Sequence, residues 1–474
     1  MPDPLMTLKL QKKRLYIALN ILISFLTALD SYAQAPTINI PPANINAQTN
    51  FLTSNFASGS FPAVALLTIA TLKATTAGFI ASSPSGNTAI PLGVMLYKVN
   101  SVSGTPQPSD PTITLSSTAQ NIHGVLLSIN STAVTSDYTV VTSGTAWLAG
   151  TYAATLGYQN VSPATPTLTL VVPGYITINP AAPATTTLAV TGLSAFRSGG
   201  GVSATQNYDY HSTVPTNVTL QASQSNFSFS TTDNYNAPAP TVPANYLNAA
   251  SGGTYAASSP ITLSPTFGKP FSVSGGIPVV ATNKTSFTNT LSLTAADLKS
   301  QFFQAGTYTL PIFYTVAKTS NYTITAASAT MNSSIQVTVP KLSELTIPGG
   351  TTASFNFNTA ASYNQGLIAA MSNPVTLSST VPYTVTVKVG GDFTSGSNTI
   401  PASVATLEKT AAETAAVNPV VLSTTAQTLI STSNPQIDRA INLQFRIPST
   451  QTVNLLNKPA GTYNTTVTFT IVAP

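Results

Sequence analysis

Between Tyr463 and Ile471 the odd positions read Tyr463, Thr465, Val467, Phe469 and Ile471, while the even ones read Asn464, Thr466, Thr468 and Thr470. A period of two puts one face of a β-strand against a core and the other in water. Tyr463 to Ala473 holds no charge, no Gly and no Pro. Those are the usual devices that keep an exposed edge from recruiting another chain, so this strand is expected to have a partner. The same Ala-Gly-Thr-Tyr prelude opens "LAGTYAATLGY" from Leu148 and "QAGTYTLPIFYTV" from Gln304. Its glycines, Gly150, Gly306 and Gly461, stand 156 and 155 residues apart, which is the mark of a tandem array of three.

A second anchor repeats at another offset. Phe196 lies over Tyr363, Gly199 over Gly366, and Thr213-Val214-Pro215 over Thr380-Val381-Pro382, each 167 residues apart; the first copy offers only the looser "FLTSNFASG" from Phe51. The expected organisation is a leader over 1–33 and three β-sandwich domains over 34–179, 180–346 and 347–474, parted at the Pro-rich 179–184 and at 347–350. Short alternating strands separated by Gly, Pro, Asn and Ser make the fold class all-β, with three tandem immunoglobulin-like sandwiches.

Gly followed by Thr-Tyr before an alternating strand reads as a tyrosine corner, in which Gly permits the tight turn and the Tyr hydroxyl bonds back to the corner backbone. Gly150 with Tyr152, Gly306 with Tyr308, and Gly461 with Tyr463 are the candidates. Before the second corner, Thr294 and Asp297 are spaced to cap one helical turn. The Ala-rich 404–417, with Glu408, Lys409 and Glu413, reads as a short surface helix or an irregular insertion.

A brief apolar-x-apolar strand ending in Pro or Gly precedes each copy: "INIPP" from Ile38, "ITINP" from Ile176 and "LTIPG" from Leu345. In copies one and two such a strand also follows the Gly-Thr-Tyr strand, and in this sequence none follows the third. The expectation is that each sandwich is finished by a segment of the next unit. The N-terminal strand, through Ile38 and Ile40, would then complete a C-terminal domain along Val467, Phe469 and Ile471 by strand addition.

"LQFRIPSTQTVNLLNKPAGTYNTTVTFTI", residues 443–471, resembles the C-terminal stretch of the spore-coat-protein-U and archaic-pilin type of bacterial secreted subunit. That resemblance implies an immunoglobulin-like fold completed by a neighbour's strand, assembled through a folding chaperone and an outer-membrane usher. It gives Gly461, Thr462 and Tyr463 a structural role.

Composition limits the chemistry. Charged residues are 6% of 474, with 27 Gly, 35 Pro and no Cys. Lys9, Lys12, Lys13 and Arg14, the apolar Leu15–Leu29 and the small-x-small Ser31-Tyr32-Ala33 form a secretory signal. Export without cysteines favours a bacterial secreted or cell-surface protein. No later segment reaches the length of a membrane span. After cleavage 13 basic residues face 10 acidic ones, a net +3 with no basic stripe for nucleic acid. No cofactor is indicated, and the chain lacks acidic clusters at calcium or zinc spacing. "RSGGGVS" from Arg197 lacks the ending of a phosphate loop. Acid meets histidine locally only at "NYDYH", where Asp209 and His211 would share a strand face, so no catalytic residue is assigned. The function read from these features is a non-enzymatic structural or adhesive surface protein that associates with itself or with other surface proteins. The alternative is a secreted glycan- or host-ligand-binding protein that stacks a sugar on Tyr208, Tyr210 and Trp147.

Overall fold

The computed structural model describes residues 36–62, 65–128, 131–178, 185–232, 238–347, 349 and 351–473; the expected leader and the Pro-rich 179–184 lie outside them. The described chain is all-β, and its sheets form three successive immunoglobulin-like units with three apolar clusters. In unit one a six-stranded sheet carries, in order, Thr37–Asn39, Thr167–Val172, Gly150–Gln159, Ala65–Ala74 and Gln120–Ser128, with Ile80–Ser83 also on Gly150–Gln159. It shares one core with a five-stranded sheet built on Phe51–Phe61, Thr132–Val140 and Met95–Val102. Unit two repeats the plan with Thr185–Ala189, Ala329–Val339, Gly306–Lys318 and Thr216–Ala222 in one sheet, and with Gly201–Ser212 against Lys284–Thr294 in the other.

Three strand types recur. The corner strands are Gly150–Gln159, Gly306–Lys318 and Val467–Val472. The closing strands, Thr167–Val172 and Ala329–Val339, pair antiparallel with the first two of these. The opening strands, Thr37–Asn39 and Thr185–Ala189, run parallel to the closing strands on their far side. Alternation in the sequence drives this layering. Tyr152, Ala154 and Leu156 are fully buried, as are Tyr308, Leu310, Ile312 and Tyr314, while the residues alternating with them face outward.

Each corner is closed by its tyrosine. The hydroxyls of Tyr152, Tyr308 and Tyr463 donate to the carbonyls four residues upstream, at Leu148 (2.7 Å), Gln304 (3.0 Å) and Pro459 (3.0 Å). Gly150 and Gly306 hold φ of 155° and 147°, and a Cβ there would come within 2.6 Å of Ser83 O and of Ser230 O respectively. No other residue fits either position. Ahead of the second corner Ala295–Gln301 is a helix with a capping box. Thr294 Oγ1 accepts from the Asp297 N–H at 3.1 Å, and the Asp297 carboxylate accepts from the Thr294 N–H at 3.3 Å.

Two expectations about local structure are corrected. Residues 404–417 form no α-helix: Thr406–Lys409 is a strand, and Glu413 is buried, not on a surface face. The short strands at Ile38, Ile176 and Leu345 are not equivalent. Thr37–Asn39 opens the sheet of its own unit, whereas Ile176–Ile178 pairs with Gly201–Ser212 and Ser343–Thr346 with Val375–Ser379, each in the unit that follows. Units one and two are therefore finished by their own closing strands and not by a segment of the next unit. The reason lies in the inward apolar positions of those strands, Leu168, Leu170 and Val172 or Ile335, Val337 and Val339, which fill the sheet before the chain crosses over.

The Thr-Val-Pro repeat marks the crossovers. Thr213 Oγ1 donates to Pro173 O at 2.6 Å and accepts from the Tyr175 N–H at 3.1 Å, while Thr213 O accepts from the Ala149 N–H at 2.6 Å. Thr380 does the same with Pro340 O (2.8 Å), the Leu342 N–H (2.8 Å) and the Ala305 N–H (2.7 Å). One threonine thus ties the linker and the preceding corner to the head of the next unit. Replacing Tyr308 by Phe removes a buried hydroxyl that also accepts from the Gln304 N–H. It should lower stability by about 1–3 kcal/mol in urea titration, with Tyr463→Phe costing less because that hydroxyl is exposed to water.

Candidate functional site

The third corner strand differs from the other two. Val467–Val472 pairs with Tyr383–Val389 along one edge only, and no strand among the described residues ladders onto its other edge. In unit three the stretch 351–357, which matches Thr185–Ala189 at the 167-residue offset in sequence, carries no strand hydrogen bonds, yet it alternates. Ala353, Phe355 and Phe357 are half-buried against the core, and Thr352, Ser354 and Asn356 are exposed. Tyr463, Val467, Phe469 and Ile471 are also only half-buried against the same core, and Val472 is 52% exposed. In unit two the positions matching Val467, Phe469 and Ile471, counted from the corner tyrosine, are Ile312, Tyr314 and Val316, none more than 1% exposed. A gap is left beside the corner strand, with a free backbone edge on its rim and half-covered apolar side chains on its floor.

The geometry asks for one strand. Tyr152 pairs with Leu170 and Ala154 with Leu168; Tyr308 pairs with Val337 and Leu310 with Ile335. Both closing strands place a branched apolar residue opposite the first inward positions after the corner and end on Val-Pro. Unpaired strand edges of this kind recruit chains through main-chain hydrogen bonds, with alternate side chains supplying the fit.

Of the residues expected to take part in exchange, the structure brings Val467, Phe469 and Ile471 together on the floor of this gap. Ile38 and Ile40 lie elsewhere, each 1% exposed in the core of unit one, where Thr37–Asn39 pairs with Thr169–Val171. The sugar-stacking set is corrected outright. Trp147 is 0%, Tyr210 1% and Tyr208 2% exposed, so none offers a face to a ligand. Trp147 fills the joint of units one and two, where its Nε1–H donates to Thr142 O at 2.7 Å. Tyr208 stacks on Phe287 at 5.7 Å. Asp209 and His211 do share an outward strand face, where Asp209 pairs with Lys284. Burial, and Lys284 after it, hold the His211 imidazole below its usual range.

Folding also makes a pair that local sequence reading misses. His123 Nδ1 lies 2.6 Å from Asp110 Oδ2, and its ring stacks on Phe61 at 5.1 Å. The twelve residues between them hide this contact, because a loop brings Asp110 back to the Gln120–Ser128 strand. Glu413 is likewise a folded-state feature. Its carboxylate accepts from the N–H groups of Ala415 and Asn442, both at 2.8 Å, and from Arg439 at 3.0 Å. Burial pushes this carboxyl up, but those donors outweigh burial and hold it below the ordinary carboxylate value. A depressed carboxyl stabilises the fold above the unfolded-state pKa and loses that contribution as pH falls through the folded one. No group of three or more metal-ligating side chains occurs among the described residues, and no helix there is long and apolar enough to cross a membrane.

No protein-family model matches the sequence, and no curated protein matches it. Solved structures with a similar arrangement include CfaE, the adhesive subunit of CFA/I fimbria of enterotoxigenic Escherichia coli. It is 14% identical at a TM-score of 0.28, with 65% of this chain and 98% of that one covered. The CsuC–CsuE chaperone–tip adhesion subunit pre-assembly complex from archaic chaperone-usher Csu pili of Acinetobacter baumannii is also similar. There the identity is 14% and the TM-score 0.30, over 62% of this chain and 99% of that one. An I-band fragment of titin is 8% identical at a TM-score of 0.19, over 75% and 77% of the two chains. Likenesses this loose carry no argument about what this chain does.

Equal truncations of one isoleucine in each of two corner strands test the gap. Ile312→Ala in the completed second unit should cost about 2–5 kcal/mol. Ile471→Ala, on a half-wet floor, should cost about 1 kcal/mol or less by chemical denaturation.

Proposed function

We propose that this chain is a non-enzymatic bacterial secreted or cell-surface subunit with a structural or adhesive role, whose third unit is completed by a β-strand supplied by another molecule. The single observation that carries this reading is the corner strand Val467–Val472, laddered on one edge and bare on the other above a half-exposed apolar floor. A strand laid there would satisfy the free backbone groups of that edge and bury Phe355, Phe357, Phe469 and Ile471. The secretory signal, the missing cysteines and the resemblance of residues 443–471 support the location and the class.

The donor is assigned to another surface protein. For the N-terminal strand to serve, Thr37–Asn39 would have to leave a finished sheet, breaking bonds such as the Ile40 N–H to Val171 O at 3.0 Å and exposing Ile38 and Ile40. That exchange trades one ladder for another, whereas a donor strand held free in its own protein gains the whole ladder. Units one and two, complete in themselves, then stand as the body presented beyond the attachment point.

The test is a peptide of residues 165–174, the closing strand of unit one, added to the mature chain. It should bind and protect unit three, raising its unfolding free energy by about 2.7 kcal/mol at 100-fold excess over Kd. A peptide with Asp at the Leu168 and Leu170 positions should not. Absence of binding by the unmodified peptide would overturn the reading.

A further inference from the structure

The two joints between units share the threonine tie but are finished in opposite ways. Between units one and two further hydrogen bonds join uncharged groups, the central ones buried. Asn283, 2% exposed, accepts from the Trp147 N–H at 3.0 Å and donates to Trp147 O at 2.9 Å and Ser212 O at 2.8 Å. Tyr322 donates to Ala149 O at 2.5 Å, and Asn87 Nδ2 reaches both Tyr322 Oη (3.0 Å) and Ala149 O (3.1 Å). Bonds of this kind join uncharged groups and are little affected by salt.

Between units two and three the same tie is flanked by charge, in a chain only 6% charged. Arg197 of unit two pairs with Glu344, and its Nε lies 3.1 Å from Asp438 Oδ1. Lys299 Nζ lies 3.1 Å from Asp438 Oδ2. Asp438 is braced for this role. It holds a left-handed φ of 53°, accepts from Ser378 Oγ at 3.1 Å, and donates its N–H to the same oxygen at 2.9 Å. A cleft of about 510 Å³ lined by Phe196, Arg197, Gly200, Thr294, Lys299 and Asp438 opens beside the pairs. Both cations there are matched by the two carboxylates, so the cleft offers an anion no unspent charge. The four side chains are 24% to 44% exposed, within reach of mobile ions. Exposed pairs contribute little each and weaken with ionic strength.

We infer that the joint between units two and three is a salt-sensitive hinge closed by the clasp of Arg197 and Lys299 on Glu344 and Asp438, while units one and two move as one body. Opening the clasp leaves the linker, the Thr380 tie and Ile437, 8% exposed against the core of unit two, as the remaining connections. The direction in which the bare edge of unit three faces then varies with ionic strength.

The chain has no native cysteine, so paired cysteines can be labelled without background. Single-molecule energy transfer would be measured on the mature chain carrying S117C with S274C, and separately S274C with S397C, all exposed positions. From about 0.05 M to about 1 M salt, where the screening length falls to about 3 Å, the second pair should broaden and the first should stay fixed. Asp438→Asn keeps a residue tolerant of left-handed φ and should give the high-salt distribution already at low salt, with no further response. Arg197→Gln, which leaves Asp438 in place, should do likewise. A second-pair distribution indifferent to salt, equal broadening of both pairs, or a salt response retained in both variants would overturn the hinge.

Discussion

A β-strand buried on one face still has two backbone edges to satisfy, and the architecture follows from how each corner strand meets that requirement. In units one and two the closing strand covers the outer edge, the opening strand covers the closing strand, and every inward side chain from Tyr152 to Leu156 and from Tyr308 to Val316 goes dry. In unit three the same tyrosine corner starts the same strand, and the edge is left bare. The chemistry of the three strands is alike. Their surroundings are not, and that difference turns a repeated structural element into a candidate point of assembly.

The threonine ties join successive sandwiches by more than the linker alone. Thr213 and Thr380 each hold a linker carbonyl, a linker N–H and the corner of the preceding unit. The corner is therefore used twice, inside its unit through the tyrosine hydroxyl and outside it through the alanine N–H. Exposure of Ala460, where Ala149 and Ala305 are buried, is the counterpart at the third corner of the bare strand edge beside it.

Much of this was legible in the sequence because it rests on local chemistry. Gly150, Gly306 and the three corner tyrosines, the capping pair Thr294 and Asp297 and the alternation of the corner strands all act within a few residues; Gly461, expected to match, holds no left-handed φ. The Thr-Val-Pro spacing was legible as a repeat, but its purpose was not, since its partners Pro173 and Pro340 lie 40 residues upstream. Where the pattern was ambiguous, non-local pairing decided. "INI" and "ITI" look alike, yet one runs parallel to its own unit's closing strand and the other antiparallel to a strand of the next unit. Burial of Tyr208, Tyr210 and Trp147, the Asp110–His123 pair and the Glu413 pocket depend on contacts that no periodicity records. The Ala-rich 404–417 misleads for a related reason: Leu407 is drawn into a sheet against Phe445, and tertiary pairing overrides helix preference.

Amide hydrogen exchange across the three corner strands tests the central claim most directly. The account predicts strong protection along Gly150–Gln159 and Gly306–Lys318. Along Val467–Val472 the N–H groups facing Tyr383–Val389 should be protected and the alternate ones on the bare edge should exchange fast. Protection of all three strands to the same degree in the isolated chain would contradict it.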